Sequence, residues 1–247
     1  MERVVECHAM LRDLALVRTG RRKALYLPLK RCLDVVASAV LFVGALPLLL
    51  VIAVCVKLDS AGPVLFRQQR VRLRRRPPGN AQVPDLATFT MYKFRTMYHD
   101  CDPTLHHRFV KTLIRGDERE VERLRSENGP LNKLRGDPRI TRVGKVLRRT
   151  SLDELPQLWN VLKGDMSLVG PRPALPYEVE DYSPHHWKRL LTIPGCVGLW
   201  QVRGWCTLDF EQMVALDNWY VDHQSLRLDV QILLGTLPAV LAGKGGG

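Results

Sequence analysis

The apolar stretch at residues 33–58 constrains this chain more than any other feature of its sequence. It reads LDVVASAVLFVGALPLLLVIAVCVKL and is interrupted only by Asp34, Ser38, Gly44, Pro47 and Lys57. About 20 apolar residues are enough to cross the roughly 30 Å hydrocarbon core of a bilayer. The stretch is therefore long enough for a transmembrane helix, and any fold of this chain has to accommodate it.

Two features favour a hairpin over a straight crossing. Pro47 lies near the middle, where its missing N–H and its ring favour a kink. A single crossing would also place one basic flank outside the cell, against the tendency of such flanks to stay cytoplasmic. We therefore predict a re-entrant helix, broken at Pro47, over residues 30–58. A straight span and a buried helix of a soluble protein remain alternatives. The basic flanks are Arg18, Arg21, Arg22, Lys23, Lys30 and Arg31 before the stretch, and Lys57, Arg67, Arg70, Arg72, Arg74, Arg75 and Arg76 after it.

The composition of the chain narrows the class of partner. Lys and Arg total 37 against 25 for Asp and Glu, which gives a net charge of +12 over 247 residues. The hydrophobic share of 46% and the charged share of 25% are ordinary globular proportions, which exclude wholesale disorder and a polytopic membrane protein. An excess of positive charge favours nucleic acid, an anionic membrane or phosphorylated substrates. Composition alone does not choose among these three.

The segment TFTMYKFRTM is rich in β-forming residues and predicts a strand. Residues two apart share a face of a strand, so Lys93 and Arg95 would point together at a spacing of about 7 Å. Such a pair fits two phosphates, or one phosphate and a carboxylate. The alternative is two solvated cations at a sheet edge, where Lys is common.

The block from Arg148 to Arg172 carries the most chemistry. Ser151-Leu-Asp-Glu154 matches a capping box, so a helix is predicted to begin at Ser151 or nearer to Asp153. Both carboxylates would then lie at a helix N-terminus, which stabilises carboxylate and attracts phosphate. The alternative is that they only cap the helix. The surrounding cations favour a phosphate site, because Arg grips phosphate through paired hydrogen bonds; they are Arg148, Arg149, Lys163 and the Arg172 of Gly170-Pro171-Arg172-Pro173.

The C-terminal part leaves two interpretations open. The segment LDVQILLGTLPAVLAG and the tryptophans Trp187, Trp200, Trp205 and Trp219 suit an interfacial amphipathic helix, and they suit core packing equally well. No histidine pair has the H-x-x-x-H spacing of a metal site. His185 and His186 are therefore predicted to be surface residues.

These motifs together resemble the bacterial sugar transferases, which are monotopic polyprenyl-phosphate hexose-1-phosphate transferases. The resemblance covers residues 28–243 and is closest to the short form of the family. It is carried by KRCLDVVASAV and GPVLFRQQRV, by MYKFRTM, by DPRITRVGKVLRRTSLDELPQLWNVLKGDMSLVGPRPALP and by PGCVGLWQVRG.

The resemblance implies a reaction. A sugar 1-phosphate passes from a nucleotide diphosphate sugar, typically a UDP-sugar, to polyprenyl phosphate, and a nucleoside monophosphate is released. This reaction begins lipid-linked glycan assembly, for example of an exopolysaccharide, capsule, O-antigen or glycoprotein glycan. Asp153 would be the nucleophile that forms a covalent phosphosugar intermediate. Glu154 would handle a proton or, with Asp153, hold Mg²⁺, the cofactor of the family. The implied phosphate- and substrate-binding residues are Lys93, Arg95, Arg148, Arg149, Arg172, Gln201 and Arg203.

The resemblance also implies an architecture. We expect a mainly α protein with a small β element (α+β), anchored by a re-entrant membrane helix broken at Pro47 and by interfacial amphipathic helices. The expected parts are a basic lead (residues 1–29), the membrane helix (30–58) and a catalytic domain (59–247). The catalytic domain would face the cytoplasm at the bacterial inner membrane, with an anionic membrane and no nucleic acid as partner. A homodimer is compatible with the sequence.

Two departures from the family pattern accompany this resemblance. The linker RLRRRPPGNAQVPDLA is longer than usual, and Trp205 stands where the family has an Arg, so Arg203 is expected to replace that Arg.

Four rival functions stay open. A membrane-tethered nucleic-acid binder would explain the charge but not the acidic pair. A non-catalytic membrane scaffold of the same fold is the main alternative. Among enzymes, a phosphatase or a nucleotidyl transferase would differ in the product released.

Overall fold

The computed structural model describes residues 21–73, 86–99, 139–203 and 208–241, and between them residues 110–114, 117, 119, 120 and 123. Residues 1–20, most of the Arg- and Pro-rich linker, and Trp205 lie outside the described part. Helix α1 spans Arg21–Asp59 and begins within the stretch predicted as the basic lead. It is continuous through Pro28 and Pro47. A proline can kink a helix without ending it, so the break at Pro47 stays a prediction.

Helix α1 buries several polar side chains and exposes apolar ones, the reverse of a helix at the surface of a soluble protein. Its buried side includes Tyr26, Lys30, Asp34 and Ser38, which recur every four residues and therefore share one face. Its exposed side is apolar, with Val40 and Leu50 each 68% exposed. Large exposed apolar surfaces mark contact with lipid or with another protein. The helix is also long and apolar enough to cross a membrane, which makes it compatible with a membrane anchor.

Two small sheets follow this helix. Strands β1 (Leu65–Leu73) and β2 (Leu86–Phe94) form an antiparallel pair in which Leu65 lies opposite Phe94. Strand β2 confirms the strand predicted from its sequence. Strands β3 (Ser167–Val169) and β4 (Gly195–Val197) form a short parallel pair.

Helices form most of the remaining described chain, so the prediction of a mainly helical protein with a small β element is confirmed. The α-helices are α2 (Arg142–Thr150), α3 (Gln157–Lys163), α4 (Pro176–Glu180), α5 (Leu199–Arg203), α6 (Phe210–His223) and α7 (Leu226–Leu241). A 3₁₀ turn at Leu152–Glu154 joins α2 to α3, and a 3₁₀ helix spans Pro184–Leu191.

The apolar core of the described residues falls into three clusters. One lies between β1 and the 3₁₀ helix and includes Val71 and Trp187. Another surrounds β3 and includes Val161 and Val169. The third joins α1 to α2 and β2. Packing thus connects α1 directly to α2 and β2.

In the C-terminal part, the structure separates residues that pack in the core from residues that are exposed. Trp187 is a core residue, whereas Trp219 is 41% exposed and stacks on His223. Helix α7 buries Ile232 and leaves Leu234 61% exposed. Apolar residues therefore lie on both its buried and its outer face, and an interfacial position of α7 stays a prediction.

Candidate active site

The turn that carries the two adjacent carboxyls differs from the predicted capping box. Ser151 adopts a left-handed conformation with a φ of 57° and ends α2, and its side chain makes no capping hydrogen bond. Asp153 and Glu154 lie in the 3₁₀ turn that follows, and α3 begins only at Gln157. The predicted capping hydrogen bond was wrong, because Ser151 also ends α2 and its side chain caps nothing, whereas the predicted helical start at Ser151 is confirmed by the 3₁₀ turn from Leu152. The carboxyls nevertheless sit beside the start of a helix.

Asp153 is a buried carboxyl in this turn, with 7% of its surface exposed. Its Oδ1 has no hydrogen-bond partner within the described part of the chain. Burial raises the pKa of Asp153 to about 6, and the charge of Glu154 adds to that rise, while Lys93 and Arg148 oppose it. A desolvated carboxylate with a free oxygen is suited to act as a nucleophile or as a metal ligand.

Glu154 is held differently from its neighbour. Its Oε1 accepts a hydrogen bond of 2.6 Å from Lys93 Nζ. Burial acts to raise its pKa, but the charge and hydrogen bond of Lys93, with Arg172 and Arg70, outweigh burial and lower the pKa. Two adjacent carboxyls therefore have pKa values shifted in opposite directions, a pattern typical of sites that divide acid–base or nucleophilic roles.

The Arg172 loop, residues 170–173, is fixed on both sides by its backbone. Gly170 N–H donates to Val197 on β4 at 2.9 Å, and the carbonyl of Pro173 accepts from Arg70 at 2.7 Å. Within the described part, Arg172 itself makes no side-chain hydrogen bond or ion pair, and its charge helps to lower the pKa of Glu154. The guanidinium of Arg172 is therefore close enough to Glu154 to lower its pKa and has no partner in the described part of the chain.

The other predicted cations divide into two groups. Arg148 lies near Asp153, lowers its pKa and donates from Nε to Thr96 at 2.9 Å. Arg149 is exposed on α2. Arg95 is buried, and its Nη atoms donate to the carbonyls of Val56, Ser60 and Ala61 at the end of α1. The structure therefore gives Arg95 a structural role, and its predicted phosphate contact stays a prediction.

Two predicted substrate residues lie on α5. The amide oxygen of Gln201 accepts the N–H of Gly198 and thereby caps its own helix. Arg203 is exposed and lies over the Trp219 ring, 5.9 Å from its centre. Substrate contacts by these two residues stay predictions.

Two residues of the site were not predicted from the sequence. Arg70 is buried at 3% exposure, and besides the carbonyl of Pro173 it binds Gln68. Asn160 is fully buried and bonds both the N–H of Tyr92 and the carbonyl of Thr90, so it covers the edge of β2 beside Lys93. Lys93 therefore does not lie on an open, solvated sheet edge. An isolated Arg or Asn carries no sequence signal for such contacts.

A histidine cluster lies outside this turn. His185, His186 and Glu211 bring potential metal-ligand atoms within 4.8 Å of one another. His186 is buried at 2% exposure, so its prediction as a surface residue was wrong, whereas His185 is exposed as predicted. The N–H of Ser183 donates to His186 Nδ1 at 3.1 Å, which places the proton of a neutral ring on Nε2, facing Glu211 at 2.8 Å. The cluster is better explained as a hydrogen-bonded clamp between the 3₁₀ helix and α6 than as a metal site.

A buried carboxyl near several cations, in a chain whose apolar helix is long enough to cross a membrane, is compatible with a membrane-associated protein that binds phosphates. The model of the family described as bacterial sugar transferase matches residues 25–243. The chain therefore belongs to the bacterial sugar transferase family.

Named relatives agree with this family. The undecaprenyl-phosphate galactose phosphotransferase of Salmonella typhimurium is 39% identical over 217 residues, which cover 88% of this chain but 41% of that protein. The chain thus spans about two fifths of that relative's length. The exopolysaccharide production protein ExoY of Sinorhizobium fredii is 36% identical over 87% of both chains. The UDP-glucose:undecaprenyl-phosphate glucose-1-phosphate transferase of Caulobacter vibrioides is 40% identical over 86% of this chain and 69% of its own.

Proposed function

We propose that this protein transfers a sugar 1-phosphate from a UDP-sugar to polyprenyl phosphate, releases UMP and thereby begins a lipid-linked glycan. The observation that carries the proposal is Asp153, a buried carboxyl with an unpartnered oxygen, next to the ion pair of Glu154 and Lys93. The names of the relatives, which include phosphotransferases acting on undecaprenyl phosphate, support the same reaction.

Asp153 is the proposed nucleophile. Its pKa of about 6 leaves it ionised at neutral pH, while burial keeps the carboxylate poorly solvated and therefore reactive. An oxygen of Asp153 forms a bond to the phosphorus that carries the sugar, and the bond from that phosphorus to UMP breaks. A phosphate oxygen of the lipid then attacks the same phosphorus, and the carboxylate of Asp153 leaves.

Glu154, Lys93 and Arg172 are proposed to support both displacements. Glu154 stays ionised because of Lys93 and Arg172, so it can accept the proton of the incoming lipid phosphate. Arg172 has no partner among the described residues and is free to bind a phosphate oxygen. Cations that face developing negative charge in a poorly solvated site are an effective source of rate enhancement.

Asp153 and Glu154 are also the proposed ligands of Mg²⁺. The unpartnered Asp153 Oδ1 fits this role, because Mg²⁺ prefers oxygen ligands and binds through one or two carboxylates together with substrate phosphates. Bound there, the ion would neutralise part of the diphosphate charge that opposes the approach of a carboxylate.

The contacts of α1 support a re-entrant course. Near its start, Lys30 pairs with Asp229 of α7 at 2.8 Å, and near its end, Arg95 binds the carbonyl of Val56 at 3.1 Å. Both ends thus contact one catalytic domain. A helix that crosses the bilayer would contact a domain on one side at one end only. We propose that both ends lie at the cytoplasmic face of the inner membrane and that the exposed middle dips into the lipid, bending at Pro47.

Helix α2 is a proposed interfacial helix. Its exposed residues Arg142, Lys145, Val146 and Arg149 recur every three or four positions and share one face, while Leu147 packs against α1 from the other. A basic face with an apolar residue at its centre suits anionic headgroups. This face is the proposed contact with an anionic membrane.

The test is UMP release by detergent-solubilised protein with Mg²⁺, polyprenyl phosphate and a panel of UDP-sugars, run beside Asp153→Asn. We expect one donor to give UMP release over many turnovers that depends on the lipid, and we expect the variant to lose it. Intact-mass measurement with that donor and no lipid should show one phosphosugar added to the wild-type chain. Release without lipid and without an adduct would indicate a phosphatase. A folded protein that is inactive with every donor would favour the scaffold interpretation.

A further inference from the structure

Asp34 is a buried carboxyl on the side of α1 that faces the catalytic domain. It is 6% exposed, and it bonds two consecutive residues of β3. Its Oδ2 accepts the hydroxyl of Ser167 at 2.7 Å, and its Oδ1 accepts the N–H of Leu168 at 3.2 Å. One side chain of the membrane helix therefore holds the strand that leads into the Arg172 loop.

The cost of burying this carboxyl points to a role beyond packing. In the described part of the chain, no Lys, Arg or His lies within ion-pair distance of Asp34, although Lys30 on the same face pairs with Asp229. Burying a carboxylate without a cation is unfavourable and is tolerated only where hydrogen bonds satisfy its oxygens. Here both hydrogen bonds go to β3, so the compensation for burial comes entirely from that strand.

The position of β3 determines the position of the Arg172 loop. Strand β3 ends at Val169, and Gly170 continues it into the loop without a linker. Gly170 N–H donates to Val197 and Gly195 N–H donates to Pro171, both at 2.9 Å. The backbones approach so closely that a Cβ on Gly170 would lie 2.5 Å from the carbonyl oxygen of Ile193. A shift of β3 therefore cannot be absorbed before Arg172.

We propose that Asp34 is a positioning residue that sets the place of Arg172 through Ser167 and Leu168. The membrane helix is then part of the catalytic scaffold as well as an anchor. This inference rests on the function proposed above, because Arg172 matters only if a phosphate is bound beside Glu154. The neighbouring residue Arg31 serves a different segment, since it binds the carbonyls of Val161 and Leu162 at the end of α3.

The first test measures the loop without any substrate. Hydrogen–deuterium exchange of the purified full chain is compared between wild type, Asp34→Leu, Asp34→Asn and Ser167→Ala. We expect Asp34→Leu to speed exchange of peptides covering residues 167–175 about tenfold, because both acceptors are lost. Asp34→Asn keeps one acceptor and should restore most of the protection. Ser167→Ala removes one hydrogen bond without changing a charge, so it should have an intermediate effect.

Asp59→Asn is the matched control, because Asp59 is a carboxylate of the same helix that accepts the N–H of Val143 on α2 at 3.0 Å. It should speed exchange at the start of α2 and leave residues 167–175 unchanged. Unchanged exchange of residues 167–175 in Asp34→Leu, or an effect of Asp59→Asn there as large as that of Asp34→Leu, would overturn the proposal.

The second test is a double-mutant cycle with Arg172→Ala. If Asp34 acts through the loop, Asp34→Leu should lower kcat about tenfold in the wild-type background and less than twofold when Arg172 is already absent. Asp59→Asn and Arg172→Ala should combine additively. Additive effects of Asp34→Leu and Arg172→Ala would overturn the positioning role. Failure of the wild-type protein to turn over any donor would instead count against the proposed function, and the exchange measurement would still decide the role of Asp34.

Discussion

Lys93 donates a hydrogen bond of 2.6 Å to Oε1 of Glu154, while the adjacent Asp153 keeps an oxygen without a partner in the described part of the chain. This single contact separates two carboxyls that are neighbours in sequence. It lowers the pKa of Glu154, whereas burial raises that of Asp153 to about 6. The pair therefore has one residue held ionised and one left free to react.

Formation of the covalent intermediate should depend on pH through Asp153. Only the ionised carboxylate attacks, so a pKa of about 6 predicts a rate that is constant above pH 7 and falls as the pH drops through 6. At pH 5 the ionised fraction, and hence the rate, should be about a tenth of the maximum. Rapid-quench measurement of UMP release in the absence of lipid checks this.

If Asp153 also holds Mg²⁺, more Mg²⁺ should move the midpoint of that profile to lower pH, because a cation favours the ionised form. A rate that stays flat from pH 5 to pH 8 would show that Asp153 ionisation does not control the step.

Asp153→Asn should abolish turnover and yet stabilise the protein. The pKa of this carboxyl is raised on folding, from 3.8 to about 6, so ionised Asp153 opposes folding above pH 6. The opposition shrinks as the pH falls from 6 and vanishes below about 4, where the residue is protonated in both states. A shift of this size corresponds to about 3 kcal/mol at pH 7 to 8. Thermal unfolding of both proteins at pH 8 and pH 4 measures the difference, and a variant less stable than wild type at pH 8 would contradict it.

Lys93→Met should impair the chemistry more than the fold. The variant leaves Glu154 without its hydrogen-bond donor, which raises the pKa of Glu154 and removes a cation from the phosphate site. We expect kcat to fall about 100-fold, within the range for loss of acid–base assistance. Lys188→Met is the matched control, because Lys188 forms an equally short ion pair of 2.6 Å with Asp222 outside the site. Equal losses of activity in the two variants would show that only the loss of an ion pair matters.

Arg95→Met should impair the fold more than donor binding. It leaves the carbonyls at the end of α1 without their donor, and unpaired buried polar groups cost about 1–3 kcal/mol each. The melting temperature should therefore fall while the KM for the UDP-sugar changes less than twofold. Measuring both quantities separates this structural role from the phosphate contact expected from the sequence. A KM raised tenfold at an unchanged melting temperature would instead show that Arg95 contacts a phosphate of the donor.

Local patterns predicted the elements of this protein better than their contacts. The alternation in TFTMYKFRTM was sufficient to predict β2, and the adjacent acidic pair lies in the turn that is proposed as the active site. The capping hydrogen bond was wrong because Ser151 also ends α2 with a left-handed backbone, and its side chain makes no capping bond to the 3₁₀ turn that follows. His186 was placed wrongly because its burial depends on Glu211 and Phe210, which come from a distant helix.

The sequence by itself determined that residues 33–58 are apolar enough and long enough for a membrane and that carboxyls and cations gather between Arg148 and Arg172. These properties follow from composition and short spacings, which need no knowledge of the fold. Only the tertiary structure decided that Lys93 pairs with Glu154, that Arg95 binds the end of α1 and that Asp34 holds β3. The two residues of each contact lie far apart in the sequence, so they meet only because of how the helices and sheets pack together.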